Sequence, residues 1–309
     1  IRAGGGGGAD DKSGRRMSAE ILDGKRIGDA VRDDLATLAS AYRERHGRRA
    51  RLAIVRAGDD AASAIYTHAL QRAAERVGVA ITLLDLPVAV DDAGLASCLE
   101  ALNADEGVQG ILVELPLPGH LSQLTVAQAI APRKDVDGIS LRSAGNLFLR
   151  LPSFVPSTAA AVLELLERSS VALAGKRVVI VGASNVVGKP LAFLLLHRDA
   201  TVTVCHIHTR DLAHWTRQAD VLIAAAGKPG LITGAMVKPG AVVVDVGINV
   251  QAGGTIVGDV DAASVAAVAG ALSPVPGGVG LLTNLMLLKQ TLLAGERQGA
   301  QPTFEDAGA

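Results

Sequence analysis

The sequence predicts an α/β fold: two α/β domains around a cleft, the second a Rossmann-like parallel sheet. Three observations predict it. Short Val/Ile/Leu runs alternate with amphipathic segments, first over residues 52–115 and again over 177–247, and such alternation builds parallel, three-layer units. Between them lies 119–156, a stretch punctuated by Pro132, Pro152 and Pro156. Within the second alternation the apolar run Val178-Val179-Ile180-Val181 stops at Gly182, and Gly188 follows where a helix should begin. A buried parallel strand reads as a continuous apolar run, and a helix N-terminus offers unpaired N–H groups to an anion.

Residues 1–16 are glycine-rich and then charged, without the apolar stretch of a signal peptide. They read as an expression remnant or disordered leader ahead of Met17. Ile27, Val31, Leu35 and Leu38 recur at helical spacing inside 18–45. Leu52-Ala53-Ile54-Val55 reads as a strand ending at Gly58-Asp59-Asp60, and 61–77 as a helix. A strand at 81–84, a helix at 95–103 and a strand at 108–115, closed by Pro116-Leu117-Pro118, complete the first unit. Residues 119–156 read as irregular. The second unit has strands at 177–182, 201–206, 221–225 and 242–247, with helices between them, the first over 187–197. Residues 272–280 (LSPVPGGVG) form a rigid glycine-rich loop, 281–295 a closing helix, and the polar tail over 299–309 reads as disordered.

A chain of 309 residues has room for about two domains. Aromatic residues make up only 2%, so the core is aliphatic. The formal net charge of -1 gives no electrostatic reason to expect nucleic acid or an acidic membrane as partner. Cys98 and Cys205 stand far apart, which argues against a disulfide scaffold and suits a reducing, cytoplasmic setting. No apolar run approaches the ~20 residues of a membrane span.

The turn after the first strand of the second unit reads G-x-S-x-x-x-G. Open α/β sheets bind dinucleotides at the carboxyl ends of their strands. Gly182, Ala183, Ser184, Val187 and Gly188 are therefore candidate pyrophosphate contacts, against the alternative of a tight strand-to-helix turn with no ligand. After the next strand comes Cys205-His206-Ile207-His208-Thr209-Arg210, with no acid placed to accept from a ribose 2′-hydroxyl. His206, Ile207 and Arg210 are candidate contacts to that end of the cofactor, and His206, His208 and Arg210 could meet a 2′-phosphate, which favours NADP, with NAD possible. A zinc site at His206, His208 and His214 lacks further ligands on a rigid frame, and no metal is expected.

Eight segments, in order, carry a family resemblance. They are Ile21-Leu22-Asp23-Gly24-Lys25, Ser63-Ala64-Ile65-Tyr66, residues 110–118 (GILVELPLP), Lys134-Asp135-Val136-Asp137-Gly138, residues 181–190 (VGASNVVGKP), Gly227-Lys228-Pro229-Gly230, residues 244–249 (VDVGIN) and residues 274–280 (PVPGGVG). From about Met17 to Gly295 the chain resembles the bifunctional methylenetetrahydrofolate dehydrogenase/methenyltetrahydrofolate cyclohydrolase family. The resemblance implies a folate-binding catalytic domain over 17–156, completed by 281–298, and an NAD(P)-binding domain over 157–280. It also implies a cytoplasmic homodimer. The chemistry implied is oxidation of the folate methylene bridge by hydride transfer, followed by hydrolysis of the methenyl product.

The same resemblance assigns roles on the substrate side. Ser63 and Tyr66 lie three apart on a helix and share a face that Leu70 completes. The family has a lysine at the Leu70 position, where it manages protons, and leucine has none to give. The family glutamine that meets that lysine is Glu114 here. A carboxylate on a buried strand end is costly to ionise without a partner, so Glu114 is a candidate general acid or base; the alternatives are solvent exposure or pairing with an Arg or Lys. Asp137 matches the pterin-anchoring aspartate, whose two oxygens suit an amidine edge. Pro116, Pro276, Gly277 and Gly278 line the substrate, and Leu281 stands where the family loop continues with proline. Gly227, Lys228, Gly247, Ile248 and Asn249 are expected to close over the nicotinamide, against the alternative that these glycines only permit tight turns.

These readings give a first expectation: an NAD(P)-dependent methylenetetrahydrofolate dehydrogenase with weak or absent cyclohydrolase activity. Two others stand beside it. One is a redox enzyme for a different reduced pterin or a cyclic imine or aminal. The other is a non-catalytic binding protein derived from the fold.

Overall fold

A computed structural model describes residues 19–58, 61–251 and 253–299, with the side chains of 61–65 outside that description. The expectations for 1–16 and for the tail from 300 onward fall outside the described residues.

The chain opens with β1 (Glu20–Ile21) and α1 (Gly24–His46). Asp23 caps α1 by accepting from the N–H groups of Lys25 and Arg26. Gly47, at a φ of 66°, ends it in the left-handed conformation that glycine adopts without strain. Ile27, Val31, Leu35, Ala39 and Tyr42 form its buried stripe, whereas Leu38, expected in the stripe, is half-exposed. Then follow β2 (Arg51–Ala57), α2 (Ala61–Val77), β3 (Ala80–Leu86), α3 (Asp92–Ala104) and β4 (Gly110–Val113). The three strands form a parallel sheet in the order β3-β2-β4.

Residues 119–156 are more ordered than expected. They contain α4 (Gln123–Ala129), a 3-10 turn (Pro132–Lys134) and α5 (Leu141–Phe148). Ser122 and Ser140 cap the two helices, so short capped helices, not irregular chain, separate the prolines. At the carbonyl end of α3, Lys134 donates to Leu102 O and Asp105 O, Arg133 to Asn103 O and Arg48 to Glu106 O. Cations are favoured at that end of a helix.

The second unit starts with α6 (Ser157–Arg168) and β5 (Arg177–Val181), α7 (Gly188–Leu196), β6 (Thr201–Cys205), α8 (Leu212–Thr216), β7 (Val221–Ala224) and β8 (Val242–Asp245). A hairpin of β9 (Asn249–Val250) and β10 (Ile256–Val257), then α9 (Ala262–Ala266), β11 (Ala271–Leu272) and α10 (Gly280–Gly299), complete the chain. The larger sheet is parallel in the order β1-β11-β8-β7-β5-β6. β1 therefore belongs to the second sheet although it precedes the first. α10 returns the other way and packs on α1, α2 and α6. Gly28 lets Leu282 and Leu285 approach α1, and Gly295 lies flat against the Tyr42 ring. Among the described residues no helix is long and apolar enough to cross a membrane.

Candidate active site between the two sheets

The first sheet delivers three ionisable side chains to one place. β4 ends at Glu114, whose N–H donates to Val55 O at 3.0 Å. The chain then turns through a cis peptide at Leu115-Pro116, which leaves Pro116 exposed. Glu114 is 8% exposed and accepts a hydrogen bond from the hydroxyl of Thr67, which is 2% exposed. Of the two alternatives expected for Glu114, solvent exposure is not met, and the Thr67 hydroxyl on α2 is one of its partners. Tyr66, the neighbour of Thr67, lies partly buried near Asp137 and Glu114. Burial first, then these two carboxylates, hold its phenol well above the usual tyrosine range, so it stays protonated. Leu70, one turn further along α2, is wholly buried and packs in the core, with no surface open to the cleft. The side chain of Ser63 lies outside the described residues.

Asp137 follows Val136 and stands at the start of α6, where its Oδ1 accepts from Ser157 N at 3.0 Å. Burial pushes its carboxyl up to about 6 against the hydrogen bonds from Ser157, and nearby Asp135 adds to the rise. Gly138, at a φ of 61°, runs against the backbone of Phe154 and Val155, where a side chain would overlap. Gln290 of α10 fixes both segments: its Oε1 accepts from Val155 N at 2.8 Å, and its Nε2 donates to Val136 O and Val155 O at 2.9 Å. The loop before α10 has a cis peptide at Val275-Pro276 and Gly277 at a φ of 112°. Gly278 is buried, with its Cα facing Pro274 O too closely for a side chain. Leu281 is exposed at the first turn of α10.

The second sheet faces this group with its strand ends. β5 stops at Gly182, where a Cβ would overlap Ala225 O, and a Cβ on Gly188 would overlap Gly182 O. The turn is thus a close-packed backbone cradle that only glycine permits at both positions. Ser184 braces it, accepting from Val187 N at 3.1 Å on Oγ and from Lys189 N at 3.0 Å on its carbonyl. Ala183 is partly buried in the cradle wall. A cavity of about 420 Å³ lies alongside, walled by Leu115, Gly138 and Leu141 on one side and Asn185, Lys189 and Phe193 on the other. Beyond β6, His206, Ile207 and Arg210 form an exposed turn in which His206 N donates to Thr209 Oγ1 at 2.8 Å. Asp211 is spent on capping α8, accepting from His214 N. After β7 and β8 come Ala226-Gly227-Lys228 and Gly247-Ile248-Asn249, with Ile248 and Lys228 exposed.

Residues 22–137 match the family model for the tetrahydrofolate dehydrogenase/cyclohydrolase catalytic domain, and residues 156–299 match its NAD(P)-binding domain. The chain belongs to the tetrahydrofolate dehydrogenase/cyclohydrolase family. It is 49% identical to the bifunctional protein FolD of Bordetella bronchiseptica over 284 residues, 92% of this chain and 100% of that one. Its fold matches the bifunctional FolD methylenetetrahydrofolate dehydrogenase/cyclohydrolase of Campylobacter jejuni with a TM-score of 0.88 and 40% identity, covering 91% and 99% of the two chains. The Trypanosoma brucei FolD, solved with NADP cofactor and an inhibitor, matches with a TM-score of 0.86 and 37% identity over 91% and 98%.

This member is an NAD(P)-dependent dehydrogenase of that family, and the glycine cradle fits a dinucleotide pyrophosphate because Gly182 and Gly188 keep its backbone open to close approach. Sequence reasoning missed four supporting residues: Thr67, Ser157 as a partner of Asp137, Gln290, and the buried acid Asp259. Thr67 and Ser157 had a signal in the sequence, each being a small hydroxyl beside a residue already singled out. Gln290 and Asp259 had none, because their partners come from segments far apart in the chain.

Proposed function

We propose that the protein oxidises 5,10-methylenetetrahydrofolate to the methenyl form, with NADP preferred and NAD possible, and that it hydrolyses the methenyl product weakly or not at all. The observation that carries this reading is the wholly buried Leu70 beside the Thr67–Glu114 pair. Hydride transfer depends mainly on holding two faces together. Hydrolysis needs an activated water and a protonated leaving amine. Bound NAD(P) supplies the hydride acceptor. The chain's own residues do the rest: Asp137 accepts from the pterin amidine edge, Tyr66 presents a protonated hydroxyl to the cleft, and Pro276, Gly277 and Gly278 wall the ring.

On this reading 17–156 with 281–298 forms the folate side and 157–280 the nucleotide side, in the cytoplasm. A homodimer is part of the proposal: β3 is an edge strand of seven residues, all half-buried but the exposed Asp85, and a template for pairing with a second copy. Light scattering that returns a monomer mass overturns that part.

The main test mixes purified protein with methylenetetrahydrofolate and either nucleotide. Methenyl product should accumulate without conversion to the formyl form. Absence of nucleotide reduction with both cofactors refutes the dehydrogenase, and rapid hydrolysis refutes the cyclohydrolase claim. A second reading, a different reduced pterin or a cyclic imine or aminal as substrate, is favoured by the grouping of Leu70, Glu114 and Leu281 on the substrate side. Thermal stabilisation by NADP but not by reduced folates would select it.

A further inference from the structure

Two buried acids, Asp245 at the end of β8 and Asp259 just after β10, stand behind the nucleotide side of the site. Asp259 is wholly buried and Asp245 is 3% exposed. Asp259 lies between the two turns that follow β7 and β8. Its Oδ2 accepts from Ala226 N at 2.6 Å and from Gly227 N at 2.8 Å, and its Oδ1 accepts from Asn249 Nδ2 at 2.9 Å. Asp245, at the end of β8, holds Asp259 in place: its Oδ1 accepts from Gly247 N and Asp259 N, and its Oδ2 from Val260 N. A Cβ on Gly247 would overlap Asp259, and one on Gly258 would overlap Asp245. The glycines therefore admit the carboxylates. The network continues to the cradle, because Gly182 packs on the carbonyl of Ala225, next to the first clamped residue.

From this geometry we propose that Asp259 is a positioning residue for the cofactor. It fixes the spacing between the Ala226-Gly227 and Gly247-Asn249 turns so that both meet the nicotinamide end of the bound dinucleotide. The proposal rests on the cofactor site being where the family assignment puts it. Charge-assisted hydrogen bonds to backbone N–H groups are among the stronger ones, and a buried carboxylate that accepts three bonds holds its partners in one arrangement.

The test is Asp259→Asn, alone and with Asn249→Asp. In the single variant, an amide that keeps its oxygen on Ala226 and Gly227 turns its NH₂ toward the NH₂ of Asn249. The exchange of both residues restores a donor–acceptor pair between the same positions. Asp259→Asn should raise the KM for NADP about tenfold to a hundredfold and lower kcat, with the KM for the folate within about twofold. The exchanged pair should recover most of the NADP affinity. A lower melting temperature with an unchanged KM for NADP in Asp259→Asn overturns the proposal. Should Asp259→Asn not fold, Asp245→Asn loosens the residue that holds Asp259 and carries the same expectation. Wild-type protein is first titrated with NADP. Failure to bind overturns the cofactor-site assignment, and the clamp is then decided by hydrogen exchange, which should show Ala226 and Gly227 amides protected in the wild type and exposed in Asp259→Asn.

Discussion

Leu70→Lys combined with Glu114→Gln puts back the pair that the family resemblance implies at these positions. Leu70 is wholly buried, so an ammonium there is stripped of water. Desolvation of this kind lowers a lysine pKa by up to about 3–5 units. A drop of about 3 units brings the group close to neutrality and costs about 4 kcal/mol at pH 7. Helical side chains lean toward the N-terminus, so the new lysine points to the turn that carries Tyr66 and Thr67, and Thr67 touches Glu114. Leu70→Lys alone meets a carboxylate that keeps the ammonium charged and offsets part of the cost. The double variant should be the less stable of the two by about 2 kcal/mol, a coupling of ordinary size for neighbouring charges. It should also be the more active hydrolase, because a lysine near neutrality exchanges protons and an ion-paired one does not. General acid–base groups contribute ~10²–10⁴-fold, so a gain in methenyl hydrolysis of at least about tenfold is expected. Urea melts and the decay of methenyl absorbance measure the two effects. A double variant that is folded and reduces NADP, yet hydrolyses no faster than the wild type, would refute the argument that the missing lysine limits the second reaction.

Asp137 gives a stability prediction with a definite sign. Its carboxyl is pushed up to about 6 in the fold, above its unfolded value, so the folded state binds the extra proton between about pH 4 and pH 6, and stability falls as pH rises through that window. Asp137→Asn abolishes this term, and the stability of the wild type relative to the variant should drop by about 2 kcal/mol from pH 4 to pH 7 in denaturant melts. Gly188→Ala forces a Cβ onto Gly182 O; NADP titration should show affinity lost by about tenfold or more, with the folate side still folded by near-ultraviolet dichroism. Gln290→Leu leaves Val136 O and both polar backbone groups of Val155 without their partner, at about 3 kcal/mol. It should also raise the KM for the folate, because Val136 precedes Asp137.

The long strands and helices were legible because their periodicity spans several residues, as in Val178 to Val181 or Ile27 to Leu35. β1, β11 and the β9–β10 hairpin were not, since strands of two residues carry no period. α4 and α5 were hidden by the surrounding prolines, although Ser122 and Ser140 were readable as caps. In the site, helical phase directed attention to Tyr66 and Leu70. The intervening Thr67 also reaches Glu114, and that contact depends on how α2 lies on β4. Asp259 was the least visible, because its role exists only once the ends of β7 and β8 and the segment after β10 converge.

The crossing of the two chain ends has a consequence for synthesis. β1 leaves the ribosome ahead of every other described element, yet its pairing partner β11 is made after all of them but α10. α10, the final described element, supplies the wall against which α1 and α2 close. N-terminal domains ordinarily fold while the rest of the chain is still being made. Here neither half is finished until α10 has been made, and until then each exposes an apolar face for a chaperone to guard. A gene cut between 156 and 157 does not give two self-sufficient products: one lacks its wall, the other its outer strand.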